Sequence, residues 1–191
     1  MFPPAGRPPN YRSLQFGGAD PDWRVDVVSQ ALPATQRPLW PYARSPELFH
    51  CAADRGGAVG ADLIKELFHL TGTSYIYNLV PWWDTREPQA DPTKGLSEKS
   101  GQWVPEPARF ILLHEWPACP LTDRWGGPTW TIWHYCRGPN AVHSREEVRQ
   151  KVVSPILFVD GHTAVHDFTS SVKSAWPAEP TADWIWYKPA R

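Results

Sequence analysis

The chain has 191 residues, a length that suits one domain with room for a hydrophobic core. Its formal net charge is −1 and its isoelectric point is near 6.6. These values exclude the dense positive charge with which proteins hold nucleic acids or anionic membranes. The sequence also contains no run approaching the roughly 18 apolar residues of a membrane span, and no basic, apolar signal peptide at its start.

Proline and tryptophan are unusually frequent, with 22 and 12 residues respectively. Proline fixes φ and lacks a backbone donor, so this content favours loops and short strands over long helices. Tryptophan buries a large area, which is typical of anchors in a loop-rich core, although exposed rings can also stack on sugars.

The composition divides the chain into an arm and a domain. Residues 1–38 hold proline, glycine and arginine with little periodicity, and they predict an extended N-terminal arm. A globular domain is expected over residues 39–191.

The middle of the chain predicts one short helix and several strands. Apolar residues at spacing i, i+1, i+4 and i+5 indicate a helix with one apolar face; they are Leu63, Ile64, Leu67 and Phe68. Thr71-Gly72-Thr73 is expected to end this helix. Strands are predicted at Ser74–Leu79, Arg109–His114 and Thr129–Tyr135, and a long surface loop at about residues 84–106.

The last third predicts a helix, a hairpin and a final strand. Ser144 and Glu147 have the spacing of a capping box, so a helix should run to about Val152. Asp160-Gly161 separates two apolar runs and predicts a β-hairpin with a two-residue turn. Trp184–Tyr187 predicts a last strand. These elements predict the α+β class, with an antiparallel sheet, short helices and many loops.

Four segments of the chain, in this order, carry a family resemblance. They are Leu39–Tyr42, Ser45–Cys51 with Asp54–Gly56, Ser74–Asn78, and Ser154–His162. Together they resemble the prepilin-type proteins with a C-terminal H-x9-DG motif, the planctomycete and verrucomicrobial relatives of type II secretion pseudopilins. Counting back from Asp160 places Gln150, preceded by Arg149, where the motif has its histidine, so the spacing matches and the residue does not.

The resemblance implies a fold like the globular head of a pseudopilin and a non-catalytic role in assembly. Its implied partners are other pilin-like subunits or secretion components, in the periplasm, at the cell surface or outside the cell. Family members begin with a prepilin cleavage site and a long hydrophobic helix, and this sequence shows neither. We therefore expect Tyr11–Phe16 or Trp23–Val28 to pack where that helix would cover the sheet.

The hairpin region also suggests a metal site. Asp160, His162 and His166 lie close together in sequence, and Glu115 follows an apolar strand. His162 and His166 share a strand face, but Asp160 is expected to stabilise its own turn, so turn and surface roles are favoured over a metal. Some pseudopilins hold calcium in loops, and the resemblance extends this option to Asp54, Glu115 or Asp160; otherwise no cofactor is expected.

No motif identifies catalytic residues. The sequence contains no nucleophile elbow, P-loop or GxGxxG, so we expect no enzymatic activity, and a metal-dependent hydrolase is the least favoured function. The main alternative is a carbohydrate-binding module with exposed tryptophan rings. Its candidates are Trp82, Trp83, Trp130, Trp133, Trp184 and Trp186; burial of these rings would favour the pilin-head interpretation.

The three cysteines leave two possibilities open. Cys119 and Cys136 flank a Gly-Gly segment and could form one disulfide in an exported protein. Three free thiols are an equally good interpretation. No CxxC pair suggests zinc.

Overall fold

A computed structural model describes residues 16–20, 32–54, 57–59, 62–64, 66–78, 96, 99–115, 153–170 and 181–185. Its strands are β1 (Gly57–Val59), β2 (Asp62–Ile64), β3 (Tyr75–Tyr77), β4 (Ile111–Glu115), β5 (Val153–Phe158) and β6 (Thr163–Asp167). The α-helix α1 covers Leu67–Thr71, and 3-10 helices cover Ala34–Gln36, Pro46–Phe49 and Gly101–Trp103. Within these ranges no helix has the length and apolar character needed to cross a bilayer.

The centre of the described structure is a four-stranded antiparallel sheet. Its strand order is β3-β4-β5-β6, and β1 pairs with β2 in a separate antiparallel pair. Tyr75 lies opposite Glu115, His114 lies opposite Ile156, and Ser154 lies opposite His166. The described elements are therefore those of a mixed α+β protein with an antiparallel sheet, as the sequence predicted.

Strands β3 and β4 confirm the predictions for their segments, but the helix begins later than the sequence indicated. Leu63 and Ile64 belong to β2, where Leu63 pairs with Ala58. The helix α1 starts only after Glu66, and the backbone N–H of Phe68 donates to Asp54 Oδ2 at 2.9 Å. This external acceptor satisfies a donor of the first helical turn, which marks where the helix starts. Gly72, with φ of 87°, ends the helix as predicted.

A β-bulge in β4 changes which of its side chains share a face. Ile111 lies opposite Phe158 and Leu113 opposite Leu157, so Leu112 is the extra residue. Without the bulge, Ile111 and His114 would point to opposite faces, because side chains alternate along a strand. With it, both lie on one face.

The β5–β6 hairpin forms as predicted, but its turn is one residue longer. The N–H of Gly161 donates to Phe158 O at 3.0 Å, and the N–H of Phe158 donates to His162 O at 3.0 Å. The loop therefore comprises Val159, Asp160 and Gly161, with Gly161 alone supplying the last turn position at φ of 93°. A three-residue loop closed by a left-handed glycine is a common alternative to the two-residue turn.

Strand β6 carries exposed side chains, but at β3 and β4 both faces of the sheet are buried. We call them the Tyr77 face, with Tyr75, Tyr77, Leu113 and Glu115, and the His114 face, with Ile76, Ile111, His114, Ile156 and Phe158. A core cluster that includes Tyr77 consists of Phe16, Phe49, Tyr77, Leu96, Val104, Phe110 and Ile185. Burial on both sides explains why β3 and β4 carry apolar side chains without strict alternation of polar ones.

The segment 16–20 packs into this core. The ring of Phe16 lies 5.7 Å from Phe49 and 6.1 Å from Tyr77. The buried Arg37 Nη1 donates to Gly17 O at 2.6 Å, and the N–H of Ala19 donates to Gly72 O at 2.9 Å. Phe16 is thus the described residue of the predicted covering segment Tyr11–Phe16, and it lies against the Tyr77 face.

Two glycines make this approach possible. Gly18 and Gly72 both have positive φ, of 93° and 87°. A Cβ on Gly18 would lie 1.8 Å from Gly72 O, and one on Gly72 would lie 2.0 Å from Ala19 O. The two main chains therefore meet at a distance that only glycine permits at these positions.

The segment 181–185 adds to the edge of β4 that β3 leaves open. Ile185 forms a parallel bridge with Phe110, in which the N–H of Ile185 donates to Arg109 O at 2.7 Å. The N–H of Ile111 donates back to Ile185 O at 3.0 Å. This bridge falls within the predicted last strand, Trp184–Tyr187. The predicted strand Thr129–Tyr135, the helix Ser144–Val152 and residues 186 and 187 lie outside the described residues.

Gly161 offers a direct test of the turn. Gly161→Ala should lower the free energy of unfolding by about 1 kcal/mol, because an L-residue is strained in the left-handed region. A Cβ at Gly161 would meet nothing within 4 Å, so the cost is conformational. Gly101→Ala is the matched control, since Gly101 has equally open space and is not among the positive-φ glycines. Equal loss in both variants on urea denaturation would contradict the turn geometry.

Candidate functional site

A buried polar cluster lies against the Tyr77 face at the β3–β4 pair. It consists of Cys51, Asp54, Ser74, Tyr75 and Glu115, and we call it the Cys51–Glu115 cluster. Asp54, Ser74 and Glu115 are fully buried, and Cys51 is 9% exposed. Three separate segments contribute to it: the turn after the second 3-10 helix, the start of β3 and the end of β4.

Asp54 is the hydrogen-bonding centre of this cluster. Its Oδ2 accepts from Ser74 Oγ at 2.6 Å and from the N–H of Phe68 at 2.9 Å. Ser74 Oγ in turn accepts from the N–H of Cys51 at 3.1 Å. The carboxylate therefore ties the Cys51 turn, the start of α1 and the start of β3 together, and charge-assisted bonds of this kind are stronger than neutral ones.

Cys51 and Tyr75 are held in their neutral forms. Burial, followed by a hydrogen bond to Glu115, raises the pKa of the Cys51 thiol to about 12. Burial, with the nearby Cys51, Glu115 and Asp54, raises the pKa of Tyr75 to about 12. Because the thiolate is the nucleophilic form of cysteine, Cys51 is a poor nucleophile at neutral pH.

His114 lies on the opposite face and is also neutral. It is 3% exposed, and burial lowers its pKa to about 4. Its Nδ1 lies 2.8 Å from Glu115 O, and since a carbonyl only accepts, Nδ1 carries the proton. His114 therefore serves as a buried donor to the backbone of its own strand.

A second polar group occupies the hairpin tip. Asp160 Oδ1 accepts from the N–H of His162 at 3.1 Å and lies 2.6 Å from His162 Nδ1. Since a carboxylate only accepts, Nδ1 carries a proton here too. The His162 ring stacks on Phe158 at 4.4 Å with an angle of 7° between the planes. Asp160 thus stabilises its own turn, as the sequence indicated.

The four residues considered for a metal site do not come together. Asp160 and His162 are bonded at the tip, and His166 lies further along β6, opposite Ser154. Glu115 is on the Tyr77 face, whereas His162 and His166 are on the His114 face. Of the calcium candidates, Asp54 and Glu115 share the Cys51–Glu115 cluster and Asp160 lies at the far end of β5. Among the described residues, no three His, Cys, Asp or Glu side chains are placed to hold a metal ion.

The other sequence-derived candidates are only partly visible. Trp184 is 3% exposed and its ring lies 5.2 Å from Phe168, so it offers no face to a sugar. Trp82, Trp83, Trp130, Trp133 and Trp186 lie outside the described residues, as do Arg149, Gln150, Cys119 and Cys136.

Sequence reasoning missed how the Cys51–Glu115 cluster assembles. The sequence singled out Ser74 and Tyr75 only as parts of a resemblance, Cys51 also as a thiol, and Asp54 and Glu115 as candidate metal ligands. In the sequence, the position of Glu115 at the end of a predicted strand, beside His114, was the feature that could have indicated a site. This position does not show which residues Glu115 contacts. The other members of the cluster precede Glu115 by up to 64 residues in the sequence. The pairing of β3 with β4 brings that part of the chain close to Glu115.

Comparison with known proteins adds no relative: no family model, curated protein or solved structure matches this chain.

Ser74 tests the buried network. Ser74→Ala should lower the free energy of unfolding by about 2–3 kcal/mol, because Asp54 loses a donor in a site without water access. Ser45→Ala is the control: Ser45 Oγ also donates to a carboxylate, that of Glu47 at 2.5 Å, but on the exposed surface. In Ser45→Ala the free energy of unfolding should fall by no more than about 0.5 kcal/mol. Similar losses in the two variants on urea denaturation would show that the network contributes little.

His114 predicts a pH dependence of stability. Its folded pKa of about 4 lies below the ordinary value of 6.5, so the unfolded chain binds a proton first. The stability is therefore complete above pH 6.5 and falls between pH 6.5 and 4, by about 3 kcal/mol in total. His114→Leu should flatten this part of the curve of unfolding free energy against pH, whereas His69→Leu, at an exposed position, should not. An unchanged slope in His114→Leu would contradict the assignment.

Proposed function

We propose that this chain is a non-catalytic assembly component whose globular part resembles the head of a type II secretion pseudopilin or a pilin-like subunit. Its partners in this proposal are other pilin-like subunits or secretion-system components. The proposed location is the periplasm, the cell surface or the exterior of the cell.

The observation that carries the proposal is the role of the resembling segments in the fold. Cys51, Asp54 and Ser74 form one buried network. Asn78 Nδ2 donates to Ile111 O at 2.8 Å, which holds the end of β3 against β4. Asp160 and Gly161 shape the hairpin that ends the sheet. Residues that join segments in this way are those expected of a structural motif, because their polar atoms are used inside the protein.

The chemical state of the nucleophilic and basic groups supports a non-catalytic role. Cys51 has a raised pKa and His114 a lowered one, and both are buried. General bases and nucleophiles work best with a pKa near the operating pH and with access to substrate. Cys51 and His114 have neither a pKa near neutrality nor access to a substrate.

Exposed apolar residues offer surfaces for assembly. Val165 on β6 is 69% exposed, and Tyr42 and Leu48 are 86% and 66% exposed. Val165 belongs to β6, the last strand of the sheet within the described residues, and an outer strand can pair with a strand of a neighbouring subunit. Single exposed apolar residues are common, so their use in contacts needs a direct test.

Site-specific photocrosslinking in cells of the source organism provides that test. A photoreactive residue placed at Val165 or Tyr42 should capture proteins that carry a prepilin-type N-terminal helix, identified by mass spectrometry. His69, with a side chain that is 50% exposed, is the matched polar position for the same reagent.

The alternatives predict other outcomes. Capture of no pilin-like protein at either position would contradict the proposal. Retention of the purified chain on polysaccharide gels would favour the carbohydrate-binding module, and substrate turnover lost with His162→Ala would favour an enzyme.

A further inference from the structure

The hairpin tip has a chemical property beyond its structural role. The chain contains one Asp-Gly pair, at residues 160 and 161, and no Asn-Gly pair. At such a pair the amide nitrogen of the glycine can attack Cγ of the aspartate side chain. The N–Cγ bond forms, the hydroxyl of the carboxyl group leaves as water with the proton of the amide nitrogen, and a five-membered succinimide results. Hydrolysis of this ring restores aspartate or yields isoaspartate, in which the main chain runs through the side-chain carbon.

The tip is accessible to this reaction. Asp160 and Gly161 are at the surface, with the Asp160 side chain 38% exposed. Apart from Gly161 and its two chain neighbours, no described residue has a heavy atom within 4 Å of the position of a Cβ on Gly161, so the rest of the described structure does not cover the turn on that side. The bond-forming atoms belong to adjacent residues, and water is the only co-reactant.

Three contacts oppose the reaction. His162 directs two donors at Asp160 Oδ1, at 3.1 Å and 2.6 Å, which turns the carboxylate toward the residue after Gly161. The same contacts favour the ionised carboxylate, a poorer electrophile than the acid. The N–H of Gly161 is engaged with Phe158 O at 3.0 Å, so the nucleophile must first break the turn.

We propose that Asp160 is the site of spontaneous isoaspartate formation in this chain and that the His162 side chain, held on Phe158, sets its rate. The His162 ring is fixed from two sides, by the carboxylate and by the stack at 4.4 Å. Isoaspartate adds one carbon to the main chain at Asp160. The bond between Gly161 and Phe158 then no longer fits, and the closing end of the β5–β6 hairpin opens.

The proposal is tested by ageing the purified full chain at neutral pH and 37 °C. Isoaspartate is measured in the tryptic peptide of residues 152–173 by electron-transfer fragmentation, and independently by enzymatic methylation of isoaspartyl groups. Asp167 in the same peptide is an internal reference, because the bulky Phe168 follows it. His162→Ala should accelerate formation at Asp160 about fivefold, the effect of losing one hydrogen bond of ordinary strength, about 1 kcal/mol.

Two further variants distinguish the effect of the His162–Asp160 contact from a general loosening of the hairpin. His166→Ala removes a second histidine that contacts Phe158, with ring centroids 5.6 Å apart, and should leave the rate unchanged. Thr163→Gly weakens β6 without touching Asp160 and should accelerate the reaction less than His162→Ala does. A wild-type rate in His162→Ala, or an equal acceleration in all three variants, would overturn the proposal. So would the absence of isoaspartate at Asp160 in every sample.

Discussion

The buried carboxylate of Asp54 holds three segments of the chain in one place. It accepts hydrogen bonds from the start of α1 and from Ser74, and Ser74 accepts one from the Cys51 turn. Burying a carboxylate without hydrogen-bond donors costs free energy. Moving these segments apart would remove the donors of Asp54, so the hydrogen bonds of this carboxylate oppose their separation. The position of Ser74 sets the start of β3, and β3 in turn pairs with β4. Asp54 therefore joins the Cys51 turn and the start of α1 to the Tyr77 face of the sheet.

The sequence predicted what depends on local pattern. The strands at Tyr75–Tyr77 and Ile111–Glu115, the glycine end of α1 and the hairpin at Gly161 all follow from neighbouring residues. The start of the helix was mispredicted because it depends on Asp54, a residue 14 positions away from Phe68. The bulge at Leu112 could not be predicted either. A bulge is visible in a sequence as a break in the alternation of polar and apolar residues, and the apolar run Ile111–Leu113 has no such alternation.

The same division applies to the site. The bond of Asp160 to the residue two positions later is a local property of turns, and it was anticipated. The partners of Glu115 were not, because they come from strand pairing between distant segments. The histidines show the difference well: His162 and His166 share a face as alternation requires, whereas Glu115, grouped with them by residue type, lies on the other side of the sheet.

The meeting of Gly18 with Gly72 has a consequence for how the chain can vary. Here the two segments contact each other through their main chains, with the N–H of Ala19 donating to the carbonyl of Gly72. The Arg37 side chain also donates to a main-chain carbonyl, that of Gly17. Recognition of this kind depends on shape, because every residue type except proline presents the same N–H and C=O groups. Side chains that point away from the contact are free to change in size and charge, while a single methyl group at either glycine would force the two segments apart.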